Sequence, residues 1–364
     1  MALGPTQGHQ TQARAADSLL QLGKPHVFVL GGLSYLGRNI IPALVKAGYR
    51  VKSMAPTIEQ RAKLRDLGCC TVAYGSSYSF EAIRAAARGS LYAVHCASAF
   101  MHYDASEDDL MYKSNHLIAV NLIKACRILR IAKLVVQSTE AVLYDGRPLH
   151  NVDENYPFTL NPISSCGRSM QDIEDLVLAA NGPELRTVIV RPRLLWGRDD
   201  EAFLPSLLQN ARSGALRLVG GGDYLISTCH VANACEGIIC AISEAKGGEV
   251  FFLTDGRPVK FREFVRGLLK ASGMRKVDQV TDKAIPFWLA RALALVCEAL
   301  ARISGTQPRM TRSGIGLIGQ ELTFVDERAR RELGYKASVS MACGFDEVEG
   351  RRVALRKESR GANS

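Results

Sequence analysis

The sequence predicts an α/β fold in which a doubly wound parallel sheet carries a smaller C-terminal lobe, and three observations predict it. From His26 onward, short β-branched runs alternate with amphipathic stretches, the pattern of repeated βαβ units. A glycine-rich turn, GGLSYLG (31–37), directly follows the first of these runs. After Arg191-Pro192 the periodicity loosens into shorter pieces, which reads as a lobe laid over the strand ends, where open α/β sheets bind their ligands.

Taken in order, HVFVL (26–30) is the first strand, 35–47 the first helix and YRVKSM (49–54) the second strand. Further strands are expected at 71–74, 91–96, 133–137 and 186–191, with long helices over 108–129 and 167–180. The lobe should hold a helix at 202–211, the turn VGGGD (219–223) and a helix at 231–243. Residues 284–302 place Ile285, Leu289, Leu293, Val296 and Leu300 on one stripe, with Arg291, Glu298 and Arg302 opposite. That helix is too interrupted by charge to span a bilayer, and the stripe fits either core packing or a membrane interface. The chain thus divides into a disordered segment 1–25, a core 26–200, a lobe 201–350 and a basic tail 351–364.

With 364 residues, 47% of them hydrophobic, the chain can bury a large core. Much of its net charge of +10 lies in the tail, where Arg351, Arg352, Arg356, Lys357 and Arg360 face only Glu358. Such a tail is usually solvated, and without basic residues interleaved with aromatics on a folded face it does not point to nucleic acid. The ten cysteines include no Cys-x-x-Cys pair, and most fall in apolar stretches, which fits a reducing compartment and the cytoplasm, with or without contact to an internal membrane. Cys229, His230 and Cys235 match no standard zinc spacing, so no metal is expected.

Several segments carry a resemblance when taken together in order: GGLSYLG (31–37), AVHCAS (93–98), Ser138-Thr139, Ser169 with Glu174, Arg191-Pro192, Trp196-Gly197, His230-Val231-Ala232-Asn233 and Leu333-Gly334-Tyr335. From about His26 to about Val348 the chain resembles an extended short-chain dehydrogenase/reductase, of the branch containing the 3β-hydroxysteroid dehydrogenase/isomerases and sterol-4α-carboxylate decarboxylating dehydrogenases. The resemblance implies a Rossmann-type sheet and a nicotinamide cofactor on Gly31, Ser34, Tyr35, Leu36 and Gly37, with Lys52, Ser53, Ala97 and Arg191 nearby. It also implies a substrate beside Trp196, His230 and Asn233, and a homo- or hetero-oligomer built on the helices at 108–129 and 167–180. For His230, capping or packing at a helix start is the competing reading.

Against that pattern the chain departs where chemistry is done. The family's Tyr-x-x-x-Lys dyad, a phenol that passes a proton to the carbonyl and a lysine that lowers its pKa, is here Cys166 and Met170. Ser138 or Thr139 can still orient a carbonyl, whereas a thiol needs a nearby cation or helix N-terminus to act as acid or nucleophile. In the loop, Ser34 stands at the middle glycine and Leu30 at a threonine. At the end of the second strand, Ser53, Met54 and Ala55 replace the carboxylate that holds NAD ribose hydroxyls, which tilts the reading toward NADP through Lys52, Arg38 or Arg61. A loop that binds no cofactor is the alternative.

Three functions follow from the sequence. One is a pseudoenzyme that serves as a cofactor-binding subunit or sensor, which the lost dyad favours. Another is an oxidoreductase on a sterol-like or other apolar carbonyl or alcohol with a non-standard proton donor. The last is a non-redox isomerase, epimerase or cyclase using the same pocket.

Overall fold

The computed structural model describes residues 24–96, 108–304, 306, 308 and 310–361. The segment 1–23 and Ala97 therefore lie outside the described residues. Seven strands form one parallel sheet: β1 (His26–Leu30), β2 (Arg50–Ala55), β3 (Thr71–Tyr74), β4 (Tyr92–His95), β5 (Lys133–Gln137), β6 (Arg186–Pro192) and β7 (Glu249–Leu253). Their spatial order is β7-β6-β5-β4-β1-β2-β3, so the chain reverses direction across the sheet between β1 and β4. That reversal leaves a crevice at the strand C-terminal ends.

Alternation along β1 shows why both faces are covered. Val27 and Val29 pack in one layer, with α1 (Tyr35–Lys46), while Phe28 and Leu30 pack in the other. The second layer is built by α3 (Phe80–Ala87), α4 (Asp108–Ile128) and α5 (Ser165–Ala179), and α2 (Ile58–Asp66) flanks β2 and β3. Burying each such side chain contributes about 1.5–3 kcal/mol, and because both faces are buried the strands read as runs of apolar residues. The strands of this sheet and the expected helices around it lie within two residues of their expected bounds, the usual fraying of helix and strand ends.

The lobe adds α6 (Phe203–Arg212), α7 (Val231–Glu244), α8 (Phe261–Ala271), α9 (Phe287–Ser304), α10 (Arg312–Ile318) and α11 (Met341–Gly361). Of these, α7 packs back against α1 and the sheet. Its last turn is closed by buried Lys133, whose Nζ donates to the carbonyls of Ala241 (3.1 Å) and Ile242 (2.6 Å). Those carbonyls have no partner within the helix, so a cation there satisfies them and opposes the helix dipole. A separate cluster of Trp196, Ile226, Phe261, Phe264 and Leu268 forms the core of the lobe.

Of the two readings of the stripe on α9, core packing does not hold: the helix buries Ala290, Ala294 and Ala301, while Trp288, Val296, Leu300 and Ile303 are more than half exposed. Ala290 and Ala294 pack with Val219 and Ile315, so small residues take the inner face. The basic tail also continues α11 as a helix to Gly361, and Arg351 pairs with Asp199.

Candidate active site

At the end of β1 the chain turns through Gly31, whose φ of +84° favours glycine. A Cβ at Gly37 would lie 2.1 Å from the Gly31 carbonyl oxygen, so the first turn of α1 can approach the strand only without a side chain there. Ser34, at the middle position, has an ordinary extended backbone (φ −65°, ψ 166°) and caps α1, its Oγ accepting from the Gly37 N–H at 3.0 Å. The serine therefore strains nothing in the loop. Leu36 is buried against the sheet, and the Tyr35 hydroxyl is buried without a partner, its pKa raised chiefly by that burial. Backbone amides at a helix start, with glycines beside them, fit a pyrophosphate.

On the ribose side the end of β2 carries no carboxylate. Ser53 Oγ donates to the Val29 carbonyl at 2.8 Å and Lys52 Nζ to the Arg88 carbonyl at 2.6 Å, so both side chains are engaged with the protein. Arg38 is bound to the carbonyls of Leu33 and Asp199 and to Glu201. Arg61 on α2 differs, because its Nε is buried with no hydrogen-bond partner.

Beyond β5 the site is built of two hydroxyls, two carboxylates and two arginines. Ser138 Oγ donates to Glu174 on α5, and Arg191 at the end of β6 forks onto the same carboxylate, Nε to Oε1 at 2.9 Å and Nη2 to Oε2 at 2.6 Å. Arg191 is also flanked by the rings of Phe158 and Phe252, at 5.5 and 5.4 Å. Neither Ser138 nor Arg191 is free to meet a substrate or a cofactor. Thr139 begins a 3-10 turn, Glu140–Leu143, that it caps through the Ala141 N–H. Its Oγ1 donates to Glu140 Oε2 at 2.9 Å, and Glu140 Oε1 accepts from Arg193 Nη1 at 2.8 Å. Arg193 Nη2 donates to the Leu317 carbonyl of α10 at 2.6 Å, and its Nε is buried without a partner.

Cys166 sits in the first turn of α5 beside this group. Burial, and then the charge of Glu140, push its thiol up to about 12, so at neutral pH it is neither a nucleophile nor a ready proton donor. Met170, one turn on, is 1% exposed among Val142, Ile173 and Val177. The lysine position is thus part of the hydrocarbon core.

Trp196, His230 and Asn233 do come together, but around a residue that the sequence reading missed. Asp255 accepts from Trp196 Nε1 (2.7 Å), Thr228 Oγ1 (2.7 Å), the His230 N–H (2.6 Å) and Asn233 Nδ2 (2.7 Å). His230 caps α7 through Nδ1, lies edge-on to Trp196 with ring centres 4.8 Å apart, and has its pKa lowered mainly by burial. All three are fully buried, so they tie the lobe to the sheet and line no open surface. Among the described residues no three His, Cys, Asp or Glu side chains are grouped to hold a metal, and no helix is long and apolar enough to cross a membrane.

Comparison with known proteins agrees with this geometry. A model of the 3-beta hydroxysteroid dehydrogenase/isomerase family matches residues 28–283. Over 321 residues the chain is 41% identical to a 4-hydroxy-2-methyl-3-oxo-4-farnesyl-3,4-dihydroquinoline-1-oxide ketoreductase of Stigmatella aurantiaca, covering 88% of this chain and 94% of that protein. It is 28% identical to a decarboxylating sterol-4-alpha-carboxylate 3-dehydrogenase of Dictyostelium discoideum, covering 89% and 99%. Among solved structures, the UDP-glucose 4-epimerase of Thermotoga maritima superposes with a TM-score of 0.71 at 17% identity, over 91% of this chain and 99% of that one, which shows a shared fold.

Proposed function

The chain belongs to the 3-beta hydroxysteroid dehydrogenase/isomerase family, and on that premise we propose that it is a nicotinamide-dependent oxidoreductase of an apolar, sterol-like or related carbonyl or alcohol. The observation that carries the reading is the loop 31–37: its glycines sit where only glycine fits, and Ser34 takes the middle position as a helix cap without strain. The likeness to a ketoreductase along nearly its whole length supports it. NADP is preferred to NAD in this reading, because no carboxylate stands at the end of β2 to hold ribose hydroxyls or repel a 2′-phosphate, and the cationic Arg61 lies on the helix that follows. When bound, the nicotinamide supplies or accepts a hydride; the chain holds the pyrophosphate on 31–37 and must move the accompanying proton by a route other than residue 166. A small apolar ligand, and an oligomer through α4 and α5, belong to the same proposal.

A second reading, a cofactor-binding subunit or sensor without turnover, is favoured by Cys166 and Met170, which have lost both functional groups of the dyad. Thermal-shift titration with NADPH and NADH, followed by assay on a 3-ketosteroid and a long-chain 3-oxo compound, separates the readings. A ligand at 100 times its dissociation constant stabilises the fold by about 2.7 kcal/mol, so binding is visible without turnover. The expected result is a larger shift with NADPH and measurable reduction. A flat response to both nucleotides would overturn the oxidoreductase reading, and binding without reduction would favour the second.

A further inference from the structure

We propose that Thr139, Glu140 and Arg193 form the proton route of this site, Thr139 exchanging a proton with the substrate oxygen and Glu140 exchanging it with Thr139. The proposal rests on the oxidoreductase reading above. It starts from an oddity of burial: Glu140 and Arg193 are 6% and 1% exposed, yet neither belongs to the core that holds the sheet together. A buried ion pair is a poor stabiliser beside hydrocarbon of the same shape. This one lies at the ligand-binding end of the sheet, next to the position that in the family carries the phenol.

The hydrogen bonds run in a line. Thr139 Oγ1 donates to Glu140 Oε2, and Glu140 Oε1 accepts from Arg193 Nη1. Thr139 is the only one of the three that is partly open, so it alone can touch a substrate oxygen while Glu140 acts through it. In alcohol oxidation, the substrate O–H proton passes to Thr139 Oγ1 as the proton of Thr139 passes to the Glu140 carboxylate; the C–H electron pair leaves as hydride to the nicotinamide, and the new C=O bond forms. Reduction reverses each transfer, with Glu140 regaining its proton from solvent between turnovers. Arg193 holds the Glu140 carboxylate in place through Nη1 and is itself fixed through Nη2 on the Leu317 carbonyl. Among the described residues the other ionisable groups around this cluster include Cys166 from α5, Tyr144 and Asp145 at the end of the turn, Arg291 from α9 and Tyr224, whose hydroxyl donates to the Ile318 carbonyl. Tyr144 is 3% exposed, and its oxygen already meets Gln320, so it reaches no substrate.

Because the route delivers one proton in reduction and takes one up in oxidation, reduction should speed up as pH falls and oxidation as pH rises. Glu140→Gln, assayed with NADPH on the two carbonyl probes, is expected to lower kcat by about 10²–10⁴-fold and to abolish that pH limb, with KM little changed. The NADPH-induced thermal shift should stay as in the parent, which reports an intact nucleotide site independently of turnover. Glu140→Asp should recover part of the rate, and Thr139→Ser should outperform Thr139→Val. If Glu140→Gln does not fold, removing both charges in Glu140→Gln with Arg193→Met keeps a neutral, packable pair and serves the same test. Parent-like kcat and pH dependence in either variant would overturn the route while leaving the oxidoreductase reading standing. A parent that binds NADPH and reduces neither probe would overturn both.

Discussion

Arg191 and Arg193 lie two residues apart at the end of β6, and each meets a buried glutamate, but their surroundings differ. The Arg191 pair is closed at its carboxylate: two nitrogens fork onto Glu174, Ser138 shares it, and two phenyl rings flank the guanidinium, whose Nη1 has no hydrogen-bond partner. It fastens α5 to the sheet. The Arg193 pair spans the crevice instead, from the turn after β5 to the Leu317 carbonyl of the lobe, and opens toward Thr139. The contrast teaches that a buried ion pair is a structural fastener when every bond to its carboxylate comes from a buried group, and a candidate for chemistry when one of them comes from a group that meets the ligand crevice.

The largest expected effect tests the fastener. Glu174→Ala leaves Arg191 buried without its counter-charge, and breaking such a pair on one side costs about 3–5 kcal/mol. Chemical denaturation should show that loss; a loss under about 1 kcal/mol would break the comparison.

Charge without a partner should be excluded from the same layer. His95, at the end of β4, is 2% exposed with no partner on Nε2, and burial draws its pKa down to about 4. Its folded value lies below the ordinary 6.5, so between pH 6.5 and 4 the unfolded chain binds a proton that the folded chain refuses. Stability from this group is therefore full above pH 6.5 and falls on acidification, by roughly 3 kcal/mol at pH 4. Unfolding free energies of the parent and His95→Leu, measured from pH 7 to 4, should converge or cross by that amount. Parallel curves would show that His95 is protonated within the fold.

Cys166 gives a kinetic version of the same contrast. With iodoacetamide at pH 8 and mass spectrometry, the exposed Cys70 and Cys343 should be alkylated at least about 100-fold faster, because little thiolate forms at residue 166. Equal labelling would return Cys166 to the list of candidate nucleophiles. The smallest effect is expected on α9, where Leu293→Ser, Val296→Ser or Leu300→Ser should each change stability by no more than about 0.5 kcal/mol, since these side chains already face out. A loss above 2 kcal/mol would mean that the stripe is covered.

Much of this was legible in the sequence, for a physical reason. The period of apolar residues and the glycine turn report local geometry, so β1, α1 and the loop are read directly, and Arg191, Ser138 and Glu174 follow as members of family segments. What those three do was not legible, because their mutual bonds join β5, α5 and β6 across the fold. Glu140 and Arg193 carry no local signal at all. Each stands beside a recognisable residue and looks like an ordinary surface charge, and only the pairing of β5 with β6 brings them together. Asp255 is the same case, a single carboxylate after β7 whose four donors come from elsewhere in the chain. On α9 the apolar stripe was read correctly as a stripe, but a helix with leucines on one side and alanines on another does not announce which side meets the rest of the protein.

Ser34 has one more consequence. Its bond to the Gly37 amide fixes the first turn of α1 whether or not an anion is present, so the loop does not need a phosphate to take its shape. The remaining early amides, those of Tyr35 and Leu36, have no partner four residues back and stay available. A nucleotide arriving at this loop would meet a rigid cradle with one donor fewer than a glycine there would leave. Such a site gives up some attraction for the anion and freezes little backbone motion on binding, so its affinity should vary less with temperature than that of a loop that has to fold around its guest.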